Sequence, residues 1–467
     1  MDLPMFARVA LALLPLQTGS TTQPSVMVQQ GEMAGAMVRF IDHHGQATFS
    51  VSAQGTRSLQ IDIDPRAERQ PLLLSVELPS RAQATWAADV EVVDSEGRSL
   101  TVRRSGIEWH RLLIPLPAAR GTYTVRAVEP PGDCPPVFPD KDREAMEPAT
   151  GLKATIPRWY DGRRAALSIR FDDSHPTHVS KAIPILREYG FRGTFMICPG
   201  GREPNSRRRS DFEDHRAEWE AVAQRRDQEF ANHSAHHRGA VGDEDMAAEI
   251  GDAAKVIWDL FPGKSKLLAL NLGGGTTWET TRTLRYYLDK YHSFDASSGS
   301  LGMDDVYGNR PAAFHRQLER HLTEGKWCRM HFHAIGPGLG ASEANFRAAM
   351  EVAKKYESDL WIAGMADIHK YQTERQATKL AIVTETAHGA RLTLSCFTDP
   401  ALYDQSLTVE IALPSTWSPS EVTVRKAGTH EASVATVTAP DSKAIRFHVL
   451  PVTAEYIIEK TPQTGLR

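Results

Sequence analysis

Between residues 165 and 364 short apolar runs alternate with amphipathic stretches, and this alternation restricts the possible folds more than any other feature of the chain. Residues 165–171, 194–198, 229–232, 267–272, 326–334 and 359–364 read as strands. Between them apolar residues recur every three or four positions. Examples are Val179, Ala182, Ile183 and Leu186 ahead of Gly190, and Met246, Ile250, Ile257 and Leu260 within 243–261. Further helical patterns cover 213–228, 277–291, 315–323 and 342–356. About seven strands alternating with helices predict an α/β fold, a distorted parallel β/α barrel whose functional residues sit at the C-terminal strand ends.

Three of those strand ends break into chemistry-bearing residues. The first run closes on Arg170-Phe171-Asp172-Asp173. Side chains alternate faces along a strand, so two neighbouring carboxylates face one pocket only where the strand stops. The third closes on Asn232-His233-Ser234-Ala235-His236-His237, with His233 and His237 four apart and able to clamp one ion together with an aspartate. The run 326–334 closes on His331-Phe332-His333-Ala334-Ile335-Gly336. Taken singly, an Asp-Asp pair is commonly a turn or cap, and His331 and His333 on one strand face are compatible with interior polar residues. Jointly, in strand order, they point to one site.

These residues are similar to the motifs of the polysaccharide deacetylase family, the NodB-like carbohydrate esterase family 4. Arg170-Phe171-Asp172-Asp173 resembles its T/S-F-D-D motif at three of four positions, His233-Ser234-x-x-His237 its H-S/T-x-x-H motif, and His333-Ala334-Ile335-Gly336 its last. The likeness covers roughly residues 155–375. It implies a deacetylase in which Asp173, His233 and His237 bind a divalent metal, Zn²⁺ by default with Co²⁺ or another ion acceptable. It implies that Asp172 is the general base and His333 the general acid. His236 stands one residue from His237 and His331 two from His333, so both assignments have a neighbour competing for them. The usual Gly-Pro after the first motif is replaced by Ser174-His175-Pro176. The third-motif arginine that braces the base has no counterpart; Leu270-Asn271-Leu272-Gly273-Gly274-Gly275 stands at that strand end, so Asn271 or a backbone amide of the glycine loop is the expected brace. Ser293-Phe294-Asp295 is the candidate for the fourth motif, with Asp295 orienting the histidine. Two other function classes stay open at this point: a non-catalytic carbohydrate-binding or scaffolding protein on the same barrel, and a metal amidase acting on a non-sugar amide.

A chain of 467 residues is long for one core. Residues 23–128 and 379–467 show short alternating runs separated by Gly, Asp and Pro, the pattern of antiparallel β-sandwiches. The expected division is therefore an N-terminal β-sandwich at 23–128, a Pro-rich linker at 129–150, the barrel at 151–378 and a C-terminal β-sandwich at 379–467. Trp86 and Trp109 are isolated in the first sandwich, which argues as much for a structural as for a carbohydrate-binding module. Fifty-four Lys and Arg against 58 Asp and Glu give a net charge of −4, which offers nucleic acid no electrostatic footing. No apolar run reaches the ~20 residues needed to span a bilayer. Residues 1–22 resemble a signal peptide, with Arg8 ahead of the apolar stretch 9–16, although Asp2 weakens the positive end and no A-x-A site follows. The balance favours export, to the periplasm or outside the cell, and a glycan as the partner. Cys134, Cys198, Cys328 and Cys396 show neither zinc spacing nor a disulfide framework.

Overall fold

In the computed structural model the described residues run from 25 to 460, apart from 29–34, 42–46, 54–57, 66–71, 79–89, 106–110, 118, 129–133, 202–210, 387, 429–433 and 440–442. The leader-like stretch 1–22 and both Trp86 and Trp109 lie outside them.

The centre is a parallel sheet in which Ala165–Phe171 is flanked by Gly193–Ile197, Glu229–Asn232, Leu268–Leu270 and Ser293–Asp295 on one side and by Trp327–Phe332 and Leu301–Gly302 on the other. Leu360–Ile362 pairs with the first half of the Ala165–Phe171 strand. Every residue of that strand is buried. Leu167, Ile169 and Phe171 face the helices, while Ser168, Arg170 and Asp172 take the alternate, inward face. The expected barrel is corrected here to a curled half-barrel. Its edge strands Ser293–Asp295 and Leu301–Gly302 are three and two residues long, and no ladder joins them among the described residues.

Register then decides where chemistry collects. Phe171 lies opposite Phe195 and Phe332, with Phe171 stacked on Phe195 at 4.8 Å and on Phe332 at 5.4 Å between ring centres. Directly above this aromatic row the strands end together. The amide of Asp172 donates to Phe332 O (2.9 Å), that of His233 to Ile197 O (3.1 Å) and that of Asn271 to Asn232 O (2.9 Å). Five strand tips are thereby set at one level.

Helices close the outer face as the apolar periodicity requires. Ile183–Tyr189 stops at Gly190 in the left-handed region, φ 73°. Asp243–Leu260, Arg310–Glu324 and Glu343–Lys355 turn Ile250, Phe314 and Phe346 inward. None of the helices in the described residues is long and apolar enough to cross a membrane. The helix expected at 277–291 begins only at Leu284, capped by Thr283 Oγ1. Its first part, Thr277–Thr280, is a strand because Val102–Ser105 offers it an antiparallel edge.

Outside the half-barrel, two sheets built mainly from residues 25–127, one of them extended by Thr277–Thr280 and Ala240–Val241, share one apolar core of Val38, Phe40, Ile61, Leu74, Ile114 and Val125. A second pair shares Leu152, Ile382, Leu392, Val409, Phe447 and Tyr456. The second pair corrects the expected linker. Glu144–Glu147 and Leu152–Thr155 form a hairpin that extends the sheet through Leu407–Ala412, so part of the Pro-rich stretch is sheet.

The far end of the half-barrel is tied by buried acids. Glu229 opens its strand against the start of the helix Met365–Gln376, accepting Ala366 N at 3.1 Å and Thr194 Oγ1 at 2.9 Å. Burial pushes its carboxyl up to about 7. On the same helix burial pushes Glu374 up to about 8, and its Oε1 accepts Gln405 N at 2.9 Å. The folded chain holds that proton up to about pH 8 while the unfolded chain gives it up near 4.5. This part of stability is therefore whole below about pH 4.5 and is lost as pH rises through 8. Glu374→Gln keeps the acceptor and removes the titration. Its melting midpoint should match the native one at pH 4.5 and exceed it by about 3 °C or more at pH 8.5, read by differential scanning fluorimetry.

Candidate metal centre and active site

The Ala165–Phe171 strand delivers two carboxylates by ending between them. Asp172 makes the last ladder bond, after which Asp173 (φ 78°) and Ser174 (φ 53°) turn left-handed. Ser174 Oγ accepts the amide of Cys198 at 2.7 Å and fixes that turn. Asp172 stays buried inside; Asp173 swings to the rim, a quarter exposed.

Two strands over, beyond Gly193–Ile197, a chain of short-range bonds folds His233–His237 into one turn. Asn232 Oδ1 accepts Ser234 N (2.9 Å) and Ser234 Oγ accepts His237 N (3.0 Å), with Ser234 and His237 both at positive φ. Nε2 of His233 comes to 3.3 Å and Nε2 of His237 to 3.5 Å of Asp173 Oδ1. One ligand atom from each of the three residues lies within 4.8 Å of the others. His233 Nδ1 is 2.7 Å from Asn271 O. A carbonyl only accepts, so Nδ1 carries a proton and Nε2 is the ring atom left facing Asp173. A methyl group added at Gly273 (φ 76°) would fall 2.2 Å from His237 Nε2, so the glycine loop lies directly against the second imidazole. One carboxylate and two imidazoles brought together this way suit a divalent transition ion, zinc included.

Glu249 separates His236 from His237. This buried acid accepts His236 Nδ1 at 2.7 Å and His236 N at 2.9 Å, and pairs with Arg238 at 3.1 Å. His236 is held away from the centre as its partner.

Asp172 has two unequal oxygens. Oδ2 accepts Arg170 Nη2 at 2.9 Å and Asn271 Nδ2 at 3.4 Å, while Oδ1 is buried and has no protein partner. Burial opposes its charge, but Arg170 foremost, with His233, His331 and His333, holds the carboxyl below the usual range. Asn271 therefore contributes as expected, though at the longer distance. The brace expected from a glycine-loop amide is corrected, since an arginine on Asp172's own strand makes the closer bond.

Across the sheet, His333 leaves its strand with Nδ1 2.6 Å from Asp304 Oδ2 and its amide donating to Asp304 Oδ1 at 3.1 Å. Asp304 is fully buried. Burial works against the charge of His333, yet the hydrogen bond and charge of Asp304 raise its pKa above 6.5. The expectation that Asp295 orients this histidine is corrected. Asp295 accepts Ser297 N at 2.9 Å, lies near Arg329 and Arg170, and burial pushes it up to about 6. His331 points into the same interior, 5.7 Å from His333 between ring centres, with Nδ1 2.9 Å from Ser300 Oγ. Burial, reinforced by Arg170, pushes it down to about 4, so it stays neutral and is a poor acid at neutral pH.

Two site residues escaped the sequence reading. Arg170 carried a visible signal, since a residue two before Asp172 on a strand shares its face. Asp304 carried none: 29 positions separate it from His333, and only the packing of the loop after Leu301–Gly302 joins them.

Comparison with known proteins places residues 160–289 in the family model described as polysaccharide deacetylase, a span that takes in Asp172, Asp173, His233, His237 and Asn271 but not His333. No curated protein matches the sequence. Among solved structures, similar chains include a peptidoglycan deacetylase from Bacillus subtilis, 13% identical with a TM-score of 0.32, covering 46% of this chain and 94% of that one. A family 4 carbohydrate esterase from Streptomyces lividans, solved with acetate, is 18% identical with a TM-score of 0.32 over 44% of this chain and 95% of its own. A family 4 acetyl xylan esterase from Clostridium thermocellum, solved with a cobalt ion, is 16% identical with a TM-score of 0.29 over 44% and 89%.

The two adjacent histidines give a direct test of the geometry. His237→Ala should lower Co²⁺ affinity at least ~100-fold in a calorimetric titration, whereas His236→Ala should leave it within about tenfold, the cost of a disturbed supporting residue.

Proposed function

Residues 160–289 form a polysaccharide deacetylase domain, and from that premise we propose that the chain is a divalent-metal-dependent hydrolase that removes acetyl groups, as amide or ester, from a polysaccharide or glycan. One observation carries the reading. Asp173, His233 and His237 converge on one point while the adjoining Asp172 keeps one buried oxygen without a protein partner.

Asp173, His233 and His237 would hold the ion, Zn²⁺ by default. A divalent ion held there would supply Lewis acidity, to acidify water and polarise an acyl oxygen. The remaining chemistry belongs to the chain. Asp172 is ionised and keeps Oδ1 buried without a protein partner, so it takes the proton that a water molecule loses as it attacks the acyl carbon. His333 donates Nδ1–H to Asp304 and is left with Nε2 as its second proton-bearing atom. Asp304 favours the imidazolium, so His333 gives the Nε2 proton to the departing nitrogen or oxygen as the bond to the acyl carbon breaks. Acetate and a free amine or hydroxyl result. His331, neutral and anchored on Ser300, lines the pocket as a polar wall.

The proposal keeps β-sandwich domains on both sides of the catalytic unit, with residues 144–155 reassigned to the C-terminal one. It also retains export, for which residues 9–16 are the whole support.

Metal-stripped protein should release no acetate from acetylated xylan, chitooligosaccharides or peptidoglycan fragments, and Zn²⁺ or Co²⁺ should restore release. Full activity after stripping, or no release from a metal-loaded protein on any of the three, would end the reading. Asp172→Asn should bind Co²⁺ as the native protein does and lose about 10²–10⁴-fold in kcat.

Asp304→Asn tests the acid. With a neutral partner the His333 imidazolium loses its support, so kcat should fall and the alkaline limb of its pH profile should move to lower pH, measured by acetate release between pH 5 and 9.

A further inference from the structure

The strand that supplies the base also supplies a guanidinium that holds it, and the two are locked together below the rim. Arg170 is 4% exposed. Its Nη2 donates to Asp172 Oδ2 at 2.9 Å and its Nη1 to Ala296 O at 3.0 Å, while Nε is buried without a partner. The guanidinium thus spans two elements, with one arm on the carboxylate and the other on the backbone just past the edge strand Ser293–Asp295. Resting on the deacetylase reading above, we propose that Arg170 is the positioning residue of this site: it fixes which oxygen of Asp172 faces the reacting water.

The geometry favours this role over a purely structural ion pair. A carboxylate free to rotate presents either oxygen; here Oδ2 is saturated by Arg170 Nη2 and Asn271 Nδ2, which leaves Oδ1 as the only oxygen able to take a proton. Asn271 is itself locked, because its Oδ1 accepts Gly273 N at 3.0 Å and its backbone oxygen meets His233 Nδ1 at 2.7 Å. The base and one imidazole therefore share a support. Directed donation to two acceptors at once requires the planar fork of arginine; a lysine ammonium supplies charge without the fixed fork, and a short hydroxyl side chain at position 170 supplies neither. The placement follows from the strand, since residues 170 and 172 share a face and the register sets Arg170 beside His331, not beside the rim. A buried charge pair of this kind costs more to break than to replace as a whole, because removing one partner leaves the other uncompensated.

The test uses the full chain and four variants: Arg170→Gln, Arg170→Lys, Asp172→Asn and the double variant Arg170→Gln/Asp172→Asn. In Arg170→Gln, kcat for acetate release should fall about 10–100-fold with KM and calorimetric Co²⁺ affinity within about threefold of native. Arg170→Lys should fall between Arg170→Gln and the native protein in kcat, because the charge returns without the fork. Independently of activity, each single variant should melt below the native protein, and the double variant should melt above the temperature expected from adding the two single shifts. A kcat for Arg170→Gln within about threefold of native, a Co²⁺ affinity that falls in step with kcat, or additive melting shifts would overturn the proposal. The melting cycle and the metal titration read the pair even in a chain that releases no acetate, so failure of the deacetylase reading is distinguishable from failure of this one. If Arg170→Gln does not fold while the double variant does, the pairing is supported by that rescue; if neither folds and Arg170→Lys is fully active, the fork has no role.

Discussion

Everything at the site depends on where one strand stops. In an extended chain Asp172 and Asp173 would point to opposite faces, one into the half-barrel and one among the helices. They serve one pocket because the ladder ends on the bond from Asp172 N to Phe332 O and the next two residues turn left-handed, at φ 78° and 53°. That conformation costs a non-glycine residue about 1–2 kcal/mol, so the surroundings must impose it. Buried Ser174 does so by accepting the amide of Cys198 on the adjacent tip. The histidine turn uses the same device, with Ser234 and His237 at positive φ and side-chain bonds from Asn232 and Ser234 closing the loop. Strain is stored at both tips, where the side chains must converge, and the all-buried strands beneath are regular.

The same logic explains which parts of the molecule were legible in the sequence. Alternation of apolar runs with helical periodicity is a local signal, and it gave the strands and most of the helices with shifts of a few residues at their ends. The strand tips were legible because parallel register brings the ends of neighbouring strands to one level once the order is known. What failed was set by distant partners. Thr277–Thr280 alternates well enough for either conformation, and it became a strand because an edge some 175 residues earlier was open to it, as the Arg103–Glu279 contact across a separation of 176 shows. Glu144–Glu147 found its sheet through Leu152–Thr155 and then Leu407–Ala412. Asp304 was hidden for the same reason, whereas Arg170 was hidden by the motif itself: matched as three of four, its first position was read as a mismatch although the guanidinium there reaches Asp172.

The N-terminal unit is not a detachable neighbour of the site. Two residues after His237, Gly239 passes so close to Thr277 O that a methyl group there would sit 2.0 Å away, and Ala240–Val241 then pairs with Trp278 and Glu279. That same strand, Thr277–Thr280, follows the glycine loop that touches His237 Nε2 and pairs on its other edge with Val102–Ser105. Arg104 lies over Trp278 at 5.2 Å, and Arg103 pairs with Glu279 across the seam. The chain leaving His237 and the chain leaving Gly273–Gly275 are thus knitted into one seven-stranded sheet with the N-terminal strands. A loop that places a side chain at positive φ needs both its ends held, and a surface loop by itself provides no such anchor. The N-terminal sheet provides it, so the placement of His237 beside Asp173 and His233 is set in part by strands that belong, by sequence, to a different unit.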